Sequence, residues 1–203
     1  MSPFDVILFD VGGVLLTNGW DHAERAAAVK QFNLDGAEFE ARHAKIASAW
    51  ERGEIDLNQY LDETLFYEPR SFSRQDFFDF MVAQSHLLPD GAMSILKELA
   101  ASNQYTIGAL NNEARETNDF RFSRFELRRY LKVALSSCYL GRRKPEPEMY
   151  RTALDVFGAE PQRILFIDDR PENAAAGAAA GMTAIRFTGE EALRKELETR
   201  GVM

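Results

Sequence analysis

A single cysteine, Cys138, in 203 residues rules out an internal disulfide, so the chain cannot be a small scaffold held by cross-links. Long apolar runs are missing too: none approaches the roughly 20 residues that a bilayer-spanning helix needs. The opening stretch MSPFDVILFDVGGVLL has no basic leading segment and is interrupted by Asp5 and Asp10, so it reads as a buried strand and not as a secretory signal. These absences point to a soluble protein of the reducing cytoplasm. Positive charge is scarce as well. The net charge of −8 excludes a broad basic face for nucleic acid or an anionic membrane, so any anionic ligand must be met by local cations. Histidine is rare, and the spacing of His22, His43 and His86 fits no metal triad; surface or core positions are expected for them.

What remains is an ordinary globular composition, 45% hydrophobic and 28% charged. Asp5 to Phe9 is a short apolar run that ends in Asp10 and opens into Gly12-Gly13, as a strand covered on both faces does before a loop. Tyr105 to Leu110, Arg163 to Ile167 and Thr183 to Phe187 have the same character, and Val133 to Ser136 shows it more weakly. Helical periodicity fills the intervals at Gly91 to Ala101, Glu113 to Arg128, Glu146 to Phe157 and Glu172 to Ala180. Strands alternating with helices predict an α/β fold with a doubly wound, mostly parallel sheet. Such a sheet places its site at the carboxyl ends of the strands, where Asp10, Asn111 and Asp168-Asp169 fall.

About ninety residues separate the first two strands, against the dozen or so that a crossover requires. Residues 18–87 carry helical patterns near Asp21 to Phe32, Gly36 to Arg52, Leu57 to Phe66 and Ser73 to Ser85. They are expected to form a helical cap on a core made of residues 1–17 and 88–203. Trp20, Trp50 and the phenylalanines of this segment are assigned to the cap interior, with Trp20 close enough to the nucleophile loop to face the site. The alanine tract from Ala174 to Ala180 is read as a helix face packed closely on the sheet.

Four features suggest chemistry. Asp10, presented at a strand end beside a glycine loop, suits a nucleophile or a simple turn cap. Asp168 and Asp169 are adjacent carboxylates that need a cation, a proton or donors to offset their repulsion, and Mg²⁺ with oxygen ligands is the simplest offset. They also precede Pro171 and Glu172 as a helix start would, so one can cap while the other ligates, with Asn173 orienting them from one turn on. Lys144, in the proline-fixed segment Gly141 to Pro147, can neutralise a phosphate oxygen and Asp10, or sit in a solvated loop. Arg170 fits either a salt bridge or a phosphate contact.

Taken together, Phe9-Asp10-Val11-Gly12-Gly13-Val14-Leu15, Ala109-Leu110-Asn111-Asn112, Arg143-Lys144-Pro145-Glu146-Pro147 and Phe166-Ile167-Asp168-Asp169 with Asn173 resemble the haloacid dehalogenase superfamily over essentially the whole chain. The resemblance implies an aspartyl-phosphate on Asp10, charge neutralisation by Lys144, and Mg²⁺ held by Asp10, Asp169, Asp168 and the Gly12 backbone carbonyl. It implies phosphate binding by Asn111, Asn112, Lys144 and Gly13. Gly12 stands where the superfamily's phosphatases usually have an acid–base aspartate, and Asn111 where they usually have Ser or Thr. The expected activity is Mg²⁺-dependent hydrolysis of a small phosphorylated metabolite, favouring leaving groups that need little protonation. The alternatives are metal-independent dehalogenation of a 2-haloacid, and a non-catalytic phosphate-binding or interaction module on the same scaffold.

Overall fold

The computed structural model describes residues 3–203. Strands β1 (Val6–Phe9), β2 (Thr106–Asn111), β3 (Val133–Ser136), β4 (Ile164–Asp168) and β5 (Thr183–Arg186) form one parallel sheet in the order β3-β2-β1-β4-β5. The chain works outward from β1 to β3 and then returns to the other side of β1, so its direction of winding reverses between β1 and β4. A crevice must open there at the carboxyl ends, because the flanking loops turn to opposite faces. Asp10 follows β1, and Asp168 ends β4.

Apolar residues of successive strand positions point to opposite faces, and each face has its own helices. Ile7, Phe9, Ile107, Leu165 and Ile167 join one cluster with residues of α5 (Met93–Ser102), α6 (Arg115–Arg124) and α10 (Glu190–Thr199). Val6, Leu8, Leu110, Ile164 and Phe166 join another with α8 (Pro147–Phe157) and α9 (Pro171–Ala179), where Ala176 and Ala180 let α9 lie close to the sheet. A short helix, α7 (Ser137–Leu140), follows β3 directly. The helical stretch expected from Glu113 to Arg128 is shorter. It runs from Arg115 to Arg124, and Glu126 at φ 51° breaks it before one turn of 3₁₀-helix.

Between β1 and α5 lie four helices: α1 (His22–Gln31), α2 (Gly36–Glu51), α3 (Leu57–Thr64) and α4 (Arg74–Ala83). Each starts at an Asp or Ser (Asp21, Asp35, Asp56, Ser73) whose side chain accepts a first-turn backbone N–H. This helical insertion has its own interior of Ala28, Phe39, Trp50, Tyr60, Leu61, Leu65, Phe77 and Met81. Its two connections to the sheet run side by side: Leu16 bridges Leu87 antiparallel, Thr17 N donates to His86 O at 2.9 Å, and Leu88 N donates to Leu15 O at 3.2 Å. Among the described residues no helix is long and apolar enough to cross a membrane.

The insertion approaches the sheet-bearing part closely at Gly53, where φ is 68° and a Cβ would lie 2.3 Å from the carbonyl oxygen of Cys138. Both the left-handed backbone and the approach demand glycine. Gly53→Ala is expected to destabilise the protein by at least about 1 kcal/mol, read as a lower urea midpoint; an unchanged midpoint would show that this contact is dispensable.

Candidate active site

The centre of the crevice is a buried lysine between two carboxylates. Lys144 Nζ donates to Asp168 Oδ2 at 2.6 Å and lies 2.9 Å from Asp10 Oδ2. Lys144 and Asp168 are 1% and 0% exposed, so these charges are met by protein groups and not by water. Other donors complete the set. Val11 N donates to Asp10 Oδ1 at 2.7 Å, Arg170 N to Asp168 Oδ1 at 2.9 Å, and Asn173 Nδ2 to both Asp168 oxygens at 3.1 and 3.2 Å. Asn173 is steadied by Tyr150, whose hydroxyl donates to its carbonyl at 2.9 Å.

The segment carrying Lys144 is clamped from β2. Asn112 Nδ2 donates to Lys144 O, and Asn112 Oδ1 accepts from Lys144 N, both at 2.8 Å, which fixes where the ammonium is delivered. Asn111 is placed differently. Its amide donates to Asn118 at 3.0 Å and accepts from Ser136 Oγ at 2.8 Å, within a buried network behind the cavity wall. Asn112, Asp10, Gly12 and Lys144 line the cavity, and Asn111 does not. Gly13, at φ 72°, lies against Asp169: a Cβ there would fall 2.3 Å from Asp169 Oδ2.

Electrostatics set the protonation of the centre. Burial pushes the Asp10 carboxyl from 3.8 up to about 7; Lys144 opposes that rise, while Asp168 and Asp169 add to it. Burial, then Asp168, raises Asp169 as well. Burial alone would lower Lys144, but Asp10 and Asp168 more than offset it and hold the ammonium charged.

Oxygen atoms of Asp10, Asp168 and Asp169 lie within 4.8 Å of one another, and Asp169 Oδ1 is buried with no hydrogen-bond partner. A buried carboxylate oxygen without a donor is costly, and three converging hard oxygen donors are the set a divalent cation such as Mg²⁺ takes. The residues therefore fit such an ion.

Above this centre opens a cavity of about 310 Å³, walled on the far side by the helical insertion through Trp20, Arg25, His43 and Trp50. Four arginines line it, and each is paired: Arg25 with Glu40, Arg121 with Glu113, Arg143 with Glu51 and Arg170 with Asp21. Glu51, Glu113 and Arg121 carry no motif of their own and escape a sequence reading, while Arg143 stands beside Lys144 in a matching segment without a role assigned to it. Glu113 had one available signal, since it follows Asn112 at the same edge of the sheet.

The family model for haloacid dehalogenase-like hydrolases matches residues 4–181, and the chain belongs to that family. Flavin mononucleotide hydrolase 1 of Arabidopsis thaliana is 31% identical over 163 residues, which cover 80% of this chain and 65% of that protein. Validoxylamine A 7'-phosphate phosphatase of Streptomyces hygroscopicus subsp. limoneus is 25% identical, covering 91% and 86%. Other relatives are longer, and the chain spans 38% of one of them. A HAD family enzyme of Bacteroides thetaiotaomicron, crystallised with magnesium and inorganic phosphate, superposes with a TM-score of 0.71 at 19% identity, covering 92% of this chain and 95% of that one. It shares the fold.

The raised Asp10 value means that the folded state binds this proton more tightly than the unfolded chain does. In metal-free protein, ionising Asp10 therefore costs stability progressively as pH rises from 3.8 to about 7, and the full cost persists above that. Asp10→Asn removes the charge and leaves Lys144 paired with Asp168. The melting temperature of the metal-free variant is expected to gain on that of the native protein between about pH 4 and about pH 7 and to keep that gain above it. A pH-independent difference would refute this electrostatic account.

Proposed function

We propose that the protein is a Mg²⁺-dependent phosphomonoester hydrolase acting on a small phosphorylated metabolite through an aspartyl-phosphate on Asp10. The observation that carries this reading is the Lys144 ammonium bridging Asp10 and Asp168 beside the orphaned oxygen of Asp169. Phosphoryl transfer asks for a positioned nucleophile and preorganised positive charge more than for covalent ingenuity, and the site offers both. Relatives named as a flavin mononucleotide hydrolase and a validoxylamine phosphate phosphatase support the same class. A 2-haloacid substrate fits less well, because its carboxylate would face three acids.

In this mechanism one Asp10 oxygen attacks phosphorus in line with the ester oxygen, the P–O bond to the leaving group breaks, and water then cleaves the acyl phosphate. The Val11 N–H holds the other Asp10 oxygen and aims the nucleophile. Lys144 neutralises the nucleophile as the phosphate approaches and moves no proton. Asp10, Asp168 and Asp169 would hold Mg²⁺, which when bound offsets charge on the phosphoryl oxygens. Gly12 places its backbone on the cavity wall and offers no carboxyl to protonate the departing oxygen. The helical insertion serves as a cap that keeps polymers out and water scarce. The preferred substrates are accordingly those with stable leaving groups, such as anomeric sugar phosphates, or the mixed anhydrides of acyl phosphates.

Purified protein should release phosphate from such compounds only with Mg²⁺, and Asp10→Asn should lower the rate by at least about 10³-fold. Phosphate release that survives both a chelator and Asp10→Asn would sink the reading. A second variant tests the missing acid. A Cβ at Gly12 would sit 3.2 Å from Asn18 Oδ1, so an aspartate there needs only a small side-chain shift. Gly12→Asp should raise kcat/KM for alkyl phosphates relative to acetyl phosphate by about 10²-fold, the lower end of what acid catalysis supplies. An unchanged ratio would mean that protonation of the leaving group does not limit the rate.

A further inference from the structure

The wall of the cavity opposite Asp10 holds a hydrogen-bond chain whose direction can be read. Trp20 Nε1 can only donate, and it donates to the Tyr60 hydroxyl at 2.8 Å. That hydroxyl also lies 2.9 Å from His43 Nδ1. Tyr60 is fully buried, and burial pushes its hydroxyl above the ordinary range, so it keeps its proton and must place it. Trp20 is not an acceptor, so the proton goes to His43 Nδ1. The imidazole, held neutral because burial and then Arg25 lower it to about 4, consequently carries its own proton on Nε2. Nε2 has no protein partner among the described residues, and His43 lines the cavity.

The surroundings define what that N–H meets. Trp50 stacks on the Tyr60 ring at 4.0 Å and 16°, and both indoles, Trp20 and Trp50, line the cavity. All four cavity arginines are already paired with carboxylates, so away from Lys144 the wall is charge-balanced and offers no free cation to a second anionic group.

We propose that His43 is a specificity-determining residue: its Nε2–H, fixed in one tautomer by Tyr60 and Trp20, binds a neutral oxygen acceptor on the leaving group, whose apolar face lies against the two indoles. The substrate is then the phosphate ester of a neutral, oxygen-rich small molecule, and not a diphosphorylated or carboxylated one. This rests on the phosphatase reading and deepens it.

The test compares hexose 1-phosphates, their single-deoxy analogues and acetyl phosphate, whose acetate leaving group carries none of the sugar's hydroxyls. Acetyl phosphate hydrolysis checks the parent reading by itself, and its absence would remove the proposal together with that reading. Given that hydrolysis, one deoxy analogue should lose about tenfold in kcat/KM against its parent on the native enzyme, the worth of one hydrogen bond. His43→Phe should lose the same factor on the parent sugar phosphate, show no further loss on that analogue, and leave acetyl phosphate unchanged. His43→Gln, which returns a donor near the Nε2 position, should recover most of it. A role confined to supporting Tyr60 would instead lower both substrates together. Nitrogen-15 spectra of the native protein should show His43 as the Nε2–H tautomer at neutral pH. An Nδ1–H tautomer, an inability to hydrolyse any hexose phosphate, or equal rates for all deoxy analogues in every variant would overturn the proposal.

Discussion

Three carboxylates crowd the ends of two adjacent parallel strands, and the burial of Lys144 between two of them is what makes that arrangement tolerable. Each buried charge alone would cost several kcal/mol of lost hydration, and the ammonium recovers part of that cost twice over, once from Asp10 and once from Asp168. The neighbouring structure can be understood as its support. Asn112 clamps the backbone of Lys144 from β2, Asn173 and the Arg170 N–H hold Asp168 from the start of α9, and Tyr150 reaches from α8 to hold Asn173. Four segments far apart in the chain thus converge on one cation. The oxygen of Asp169 left without a donor is the remaining imbalance, and it faces where a divalent ion fits.

Charge is managed on a second scale around the cavity. The chain as a whole is strongly acidic, yet every arginine lining the cavity is matched by a carboxylate. Arg143–Glu51 and Arg170–Asp21 also join the sheet-bearing part to the helical insertion, and the Arg52–Glu146 pair does so at the rim. Ion pairs at an exposed rim contribute little stability individually. Their effect here is on the field inside: with each arginine matched by a carboxylate, the wall above the centre stays close to neutral.

Much of this was legible in the chain before any coordinates. Four of the five strands stand out as short apolar runs, because a parallel strand covered on both faces has no polar alternation to hide it, and β3, half-buried at its start, shows the signal more weakly. The acidic residues at their ends followed from the same logic. Boundaries moved by one or two residues where caps decided them, as at Asp21 and Ser73. The break after Arg124 was not legible, since a left-handed Glu126 is imposed by the packing of Leu127 and not by any glycine or proline signal. The helix from Glu190 to Thr199 was overlooked although Leu193 and Leu197 are spaced as a buried stripe. The helical insertion hid most. Its periodicity showed helices, but which of its side chains would look into the cavity depends on how four helices lean together. The tautomer proposed for His43 depends on a hydrogen-bond partner seventeen residues away, Tyr60.

The two connections into the helical insertion lie side by side, tied by the Leu16–Leu87 bridge and the contacts of Thr17 with His86. From the sheet's point of view the seventy residues between them are a closed excursion that begins and ends on one hydrogen-bonded rung. Nothing in the strand register fixes how long that excursion is or how its helices are arranged. Selection can therefore rewrite the upper wall of the cavity, lengthen it or exchange it outright, without disturbing the spacing of Asp10, Lys144 and Asp168. The upper wall of the cavity and the centre of Asp10, Lys144 and Asp168 thus lie on separate parts of the same chain.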